Sequence, residues 1–277
     1  MSNYVECSEL TLNTKTFKMK EAKSSQIPMK SLICRLIMGP VATIIFSLIF
    51  AVNNCQAQNT PEGDLSLKYL ARQPTEKSEH PPVIILLHGY GSSEADLFEL
   101  RSAFPKNYLV VSARAPLTLE DGAYQWYRGA NTDGQRDGNA EDLKDSIAKV
   151  KNFISEIVEK YHADPAKVYL MGFSQGAVMS YEVGLTSPEL LTGIGVFSGA
   201  IFPSLKPRIK SSPALQKLQI FIGHGTADDR IKYSSATNAD AYLRSLHLTP
   251  SFHSYPGMAH HISQEELADV NRWLEGH

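Results

Sequence analysis

Cysteine is nearly absent from this chain of 277 residues: only Cys7, Cys34 and Cys55 occur, all ahead of residue 58. With that front piece set aside, the remainder has no thiol. A disulfide framework, a cysteine-based zinc site and a cysteine nucleophile are then excluded. An excess of charge of one sign is lacking too, since 27 Lys+Arg stand against 29 Asp+Glu for a formal net charge of −2. Without a basic face there is no electrostatic footprint for nucleic acid. Internal repeats and low-complexity tracts are missing. A composition 43% hydrophobic and 20% charged is that of an ordinary globular chain and excludes disordered and collagenous classes.

One long hydrophobic run is present, the 17 uncharged residues from Leu36 to Val52. Lys30 and Arg35 precede it and the polar NNCQAQNTPEG follows it. A basic region, an apolar stretch and small residues at a cleavage site make a secretory signal. Cys55-Gln56-Ala57 places small residues at −3 and −1 of a cut after Ala57. A start at Met29 gives an ordinary signal length, so residues 1–28 are expected to be an upstream extension of the reading frame. The other reading is a membrane anchor of residues 36–52, near the lower length limit for a span. Val52-Asn53-Asn54 lacks the small residues that a lipoprotein signal carries before its cysteine. The expected organisation is therefore a leader, 1–57, and one catalytic domain, 58–277, exported to the periplasm or beyond. Six basic and three acidic residues precede residue 58, so that domain holds 21 basic and 26 acidic residues, a formal charge of −5.

Short apolar runs recur at 83–87, 108–111, 168–171, 194–197 and 218–222. Runs of this length bounded by turn residues suggest strands buried on both faces. Between them lie helical patterns. In Glu141–Tyr161 the residues Leu143, Ile147, Val150, Ile154, Ile157, Val158 and Tyr161 share one stripe. Asn139 and Asp142 suit an N-terminal cap, and Asp164-Pro165 suits the end. Ser234–Leu248 and Gln264–Leu274 also read as helices, and Ser251–Tyr255 as a further strand. Alternation of this kind gives an α/β fold with a mainly parallel central sheet and helices on both faces. The segment NTDGQRDGNAED (131–142) imitates a calcium loop, but Lys144 stands where the bidentate glutamate belongs, so it reads as a solvated loop entering a helix.

The chemistry centres on Gly172-Phe173-Ser174-Gln175-Gly176. Gly-x-Ser-x-Gly alone is a weak signal. Here it follows an apolar strand and opens a helical segment, the context that a nucleophile elbow requires. A serine nucleophile needs a base, and the base needs an orienting carboxylate. Gly223-His224-Gly225-Thr226-Ala227-Asp228-Asp229 follows one candidate strand and Pro256-Gly257-Met258-Ala259-His260-His261 follows the next. Both sit where strands end, which is where the site of such a sheet lies. Asp228 and Asp229 compete for the acid, and His260 and His261 for the base. The backbone N–H of Gln175, at a helix N-terminus, suits an oxyanion. His88 and His224 read as structural, and His253 as facing out of its strand.

LLHGYGSS (86–93), GFSQGA (172–177), GHGTADDRI (223–231) and YPGMAH (255–260) resemble the phospholipase/carboxylesterase family of small α/β-hydrolases, over about residues 65–275. The resemblance implies an α/β-hydrolase fold and a triad of Ser174, Asp228 and His260. It also implies a second oxyanion donor at the Tyr90 backbone N–H and a place for Trp126 on the substrate-pocket wall. Where members of the family often carry an acid two residues after that tryptophan, this chain has Arg128, which bears on substrate identity. The 19 residues Ala200–Leu218 contain Pro203, Pro207 and Pro213, too little for a folded cap, so no large cap domain is expected. The expected activity is hydrolysis of small, short-chain carboxylic esters with no metal or organic cofactor, no nucleic-acid partner and no stable membrane insertion once the leader is cut. Lysophospholipase, acyl thioesterase and polysaccharide de-esterification are the alternatives within the hydrolases, and a non-catalytic binding protein lies outside them.

Overall fold

Strands that are apolar on both faces need cover on both sides, and the order of elements supplies it. The computed structural model describes residues 65–276 apart from positions 77 and 133; the expected leader, 1–57, lies outside the described residues. The chain runs through β1 (Tyr69–Arg72), β2 (Val83–Leu87), α1 (Glu94–Phe98) and β3 (Leu109–Ala113). Two small hairpins follow, β4 (Leu117–Glu120) with β5 (Ala123–Gln125), then β6 (Gly129–Thr132) with β7 (Gln135–Gly138). Then come α2 (Ala140–Lys160), β8 (Val168–Phe173), α3 (Gln175–Thr186), β9 (Gly193–Phe197), α4 (Pro213–Lys217), β10 (Gln219–Gly225), α5 (Tyr233–Ser245), β11 (Ser251–Tyr255) and α6 (Gln264–Glu275).

The main sheet has seven strands in the order β1-β3-β2-β8-β9-β10-β11. All neighbours are parallel except β1, which pairs antiparallel with β3 at the edge. Strand side chains alternate between the two faces. Val83, Ile85, Leu87, Val168 and Leu170 therefore join one core with α2, α3 and α5. Ile84, Leu86, Tyr169 and Met171 join the other, against α1 and α6. This division accounts for continuous apolar runs where a half-exposed strand would alternate.

Local chemistry sets the helix limits. The Asn139 side chain accepts from the N–H groups of Glu141 and Asp142 and caps α2. That helix stops at Lys160, ahead of Asp164-Pro165, and His162 takes a left-handed backbone at φ 50°. Similarly, α5 ends at Ser245, short of the expected Leu248, with His247 at φ 62°. The segment expected to be a solvated loop is largely the β6–β7 hairpin. Between β9 and β10 only a 3₁₀ turn (Lys206–Arg208) and the five-residue α4 form. Among the described residues, no helix is long and apolar enough to cross a membrane.

Candidate active site

Strand β8 lies between β2 and β9 in the middle of the sheet, and Ser174 is the residue that turns its C-terminal end into α3. The turn is so tight that Ser174 adopts φ 54°, ψ −110°, a backbone state that costs a non-glycine residue roughly 1–3 kcal/mol. Its N–H is anchored on the carbonyl of Phe197, 2.9 Å away at the end of β9. The two glycines of the motif have a steric cause. A Cβ on Gly172 would stand 2.1 Å from the Gly176 carbonyl oxygen, and one on Gly176 would stand 2.0 Å from the Leu87 oxygen. Helix and strands approach within backbone contact there, which is what lifts the serine hydroxyl out of the sheet.

The loops after β10 and β11 come back over this turn. His260 Nε2 lies 2.9 Å from Ser174 Oγ, and His260 Nδ1 lies 2.7 Å from Asp228 Oδ2. Asp228 Oδ1 accepts the backbone N–H groups of Arg230 and Ile231, each at 2.9 Å. Burial alone would raise the Asp228 carboxyl, but the His260 hydrogen bond and those two N–H donors outweigh it and hold it below its ordinary value. The acid is thus ionised and fixed in orientation while almost wholly buried. Asp229 and His261 are exposed and lie outside this line.

The two histidines read as structural are both fully buried. His224 lies beneath Asp228, its Nε2 2.8 Å from the Ile231 carbonyl and 3.3 Å from Asp228 Oδ2. His88 accepts the Ala115 N–H at Nε2 (3.0 Å), so its proton is on Nδ1, which donates to the Gly89 carbonyl at 2.7 Å. Burial lowers the pKa of both rings, so neither carries charge near neutral pH. His253, expected to face outward, is instead half-buried. Its ring stacks on Phe221 at 4.8 Å and its Nδ1 lies 3.3 Å from Asp269 on α6, because β11 is covered by that helix.

Trp126, which the family resemblance places on the pocket wall, is completely buried and does not line the cleft. Its indole N–H donates to the His88 carbonyl at 2.9 Å, and its backbone N–H donates to Gln175 Oε1 at 2.7 Å. The Gln175 amide nitrogen donates in turn to the Tyr127 carbonyl at 2.6 Å. The tryptophan is a strut that ties the His88–Tyr90 loop to the start of α3. The Gln175 side chain, whose part in this sequence reasoning missed, is the joint between them. A glutamine after a nucleophile has no distinctive pattern of its own, so no sequence signal pointed to this. Arg128 is likewise turned away from the cleft, gripping Asp142 through Nε at 2.8 Å and Nη2 at 2.9 Å. It clips the hairpin to the first turn of α2.

Ser174, Gln175 and the exposed Tyr90 share one wall of an open cleft of about 660 Å³. Among the described residues, the backbone N–H groups of Tyr90 and Gln175 have no acceptor. The other walls are Tyr127, Gly129 and Gln135 to Asp137, then Ala200 to Pro203 with Lys206, and then Arg230 to Lys232 with the facing side of α5 from Ser234 to Tyr242. Asp137 turns its side chain inward. Its buried carboxylate accepts from the Gly138 N–H (2.8 Å), Ser204 Oγ (2.7 Å) and the Ser204 N–H (3.2 Å), tying the hairpin to the segment after β9. That segment is pinned again where Arg208 pairs with the buried Glu182 of α3. Among the described residues, no cluster of three or more His, Cys, Asp or Glu side chains could hold a metal ion.

Residues 73–277 match the Phospholipase/Carboxylesterase family over most of the chain. The chain belongs to that family. It is 30% identical to acyl-protein thioesterase 1 of Kluyveromyces lactis over 210 residues, 69% of this chain and 90% of that protein. Carboxylesterase SOBER1 of Arabidopsis thaliana is 28% identical over 205 residues, 69% of this chain and 89% of the relative. The crystal structure of the Bacillus cereus carboxylesterase shares the fold, with a TM-score of 0.65 at 21% identity, covering 76% of this chain and 94% of that one. The protein is accordingly an α/β-hydrolase enzyme of the carboxylesterase type.

Proposed function

We propose that this enzyme is an exported serine hydrolase that cleaves short-chain carboxylic esters through an acyl-enzyme on Ser174. The observation that carries the reading is the hydrogen-bonded line Ser174–His260–Asp228, at 2.9 and 2.7 Å, at the rim of an open cleft. His260 takes the Ser174 proton as Oγ bonds to the acyl carbon. The carbonyl electrons move onto oxygen, where the Tyr90 and Gln175 N–H groups receive the charge, each donor being worth about 3 kcal/mol in such sites. The intermediate collapses, the C–O bond to the alcohol breaks, and His260 returns its proton to the leaving oxygen. Water, deprotonated by the same ring, then releases the acid. Asp228 keeps the imidazole in the right tautomer and stabilises its cationic form.

The short segment between β9 and β10 leaves the serine uncapped, which favours soluble substrates over aggregated lipid. A thioester would use the same steps with a thiolate leaving group, and the thioesterase names among the relatives make it the second reading. Ser174→Ala should abolish hydrolysis of 4-nitrophenyl butyrate and labelling by a fluorophosphonate, with folding retained. Turnover surviving in that variant would reassign the nucleophile. Export rests on the Lys30/Arg35, apolar and Cys55-Gln56-Ala57 pattern. Protein recovered from its native host should begin near Gln58, whereas intact residues 31–57 on membrane-bound protein would mean an anchor.

A further inference from the structure

The catalytic cleft is positively charged although the domain around it is not. Arg136, Lys206, Arg230 and Lys232 all line it. Among the described residues, none of the four takes part in an ion pair. The acid on the lining, Asp137, has its carboxylate buried and committed to Ser204 and Gly138. Residues 58–277 hold 21 basic and 26 acidic side chains, so a random patch of this surface would be mildly acidic.

The four cations come from three separate segments. Arg136 is on the β6–β7 hairpin, Lys206 on the segment after β9, and Arg230 and Lys232 on the loop that carries Asp228. The first two segments are tied together by Asp137 and Ser204, and Lys206 Nζ is held 4.9 Å over the Tyr242 ring. Like charges brought together around one concave surface repel, and such a surface focuses a field that draws in anions. Ser234, Ser235 and Asn238 add hydrogen-bonding groups to the same wall, and Tyr127, Ile201 and Phe202 add apolar area.

We infer that the preferred substrates are esters bearing an anionic group, a carboxylate or a phosphate, which the cations of this cleft hold while Ser174 attacks the ester. The inference rests on the esterase reading above and names the substrate class of that site. Two matched pairs test it on the whole enzyme. On the acyl side, the 4-nitrophenyl monoester of adipic acid is compared with 4-nitrophenyl hexanoate. On the alcohol side, 1-butyrylglycerol 3-phosphate is compared with 1-butyrylglycerol. In one pair or the other, kcat/KM for the anionic ester should exceed that for its neutral partner by roughly tenfold at low salt. The excess should shrink as salt screens the cleft. Lys206→Gln with Lys232→Gln should reduce that ratio severalfold, and Lys206→Arg with Lys232→Arg should restore it. Neutral esters hydrolysed with both ratios at or below one, or a ratio that the glutamine pair leaves unmoved, would overturn this inference alone. No turnover of any of the four esters, with no fluorophosphonate labelling, would overturn the esterase reading as well.

Discussion

Glu266 on α6 is completely buried, and neither of its carboxyl oxygens has a hydrogen-bond partner. It packs over Gly223 of β10, where a Cβ would stand 2.0 Å from Oε1. Burial outweighs the opposing pull of the nearby Ser263 backbone N–H and, with the negative charge of Asp269 adding to it, pushes its pKa from an ordinary 4.5 to about 8. The folded protein therefore keeps this proton between pH 4.5 and 8 while the unfolded chain has lost it. The folded state binds more protons in that window, so this group's contribution to stability falls as pH rises. The slope is about 1.4 kcal/mol per pH unit, or about 3–4 kcal/mol between pH 5 and 8. Glu266→Gln removes the titration and keeps the shape. Urea unfolding of the variant and the parent at pH 5, 6, 7 and 8 should give stability curves that diverge with pH, the variant gaining throughout and the gap levelling off above 8. Comparing the two proteins cancels His88 and His224, whose lowered pKa values make stability rise with pH up to the ordinary histidine range in both. Parallel curves would refute the reasoning and mean that Glu266 is ionised, or reached by water, in the folded protein.

Gln175→Leu should strip the buried Trp126 N–H and Tyr127 carbonyl of their partners. At about 1–3 kcal/mol for each unsatisfied group, thermal melting should drop by several degrees and kcat should fall, with the KM of a small ester changing less. A variant as stable and as active as the parent would remove the strut from the account of the oxyanion loop. Asp228→Asn should cut kcat by several orders of magnitude, ~10⁴-fold in triads of this type, whereas Asp229→Asn, on an exposed side chain, should stay within about twofold. Equal losses in the two variants would leave the orienting role of Asp228 without support.

The sequence alone determined the parallel sheet, because only strands covered on both faces can carry unbroken runs such as Val-Ile-Ile-Leu-Leu at 83–87. It also marked the elbow, since two glycines flanking a serine at a strand end are a steric demand that no other residue meets. Strand β1 and the two hairpins were not legible. Gly129–Thr132 and its partner are exposed for most of their length and carry no apolar pattern, so they are held by pairing and by Asp137–Ser204 rather than by core burial. The choices between Asp228 and Asp229, and between His260 and His261, belonged to tertiary structure. Adjacent residues on a loop share the same local signal, and what separates them is which side chain is turned inward by the Arg230 and Ile231 N–H groups and by the serine 86 residues away. Trp126 shows the same division. A tryptophan on a loop suits a pocket wall or a core equally well by composition, and only the long-range bonds to His88 and Gln175, distant in sequence and adjacent at the C-terminal ends of the central strands β2 and β8, place it beneath the site instead of on its surface.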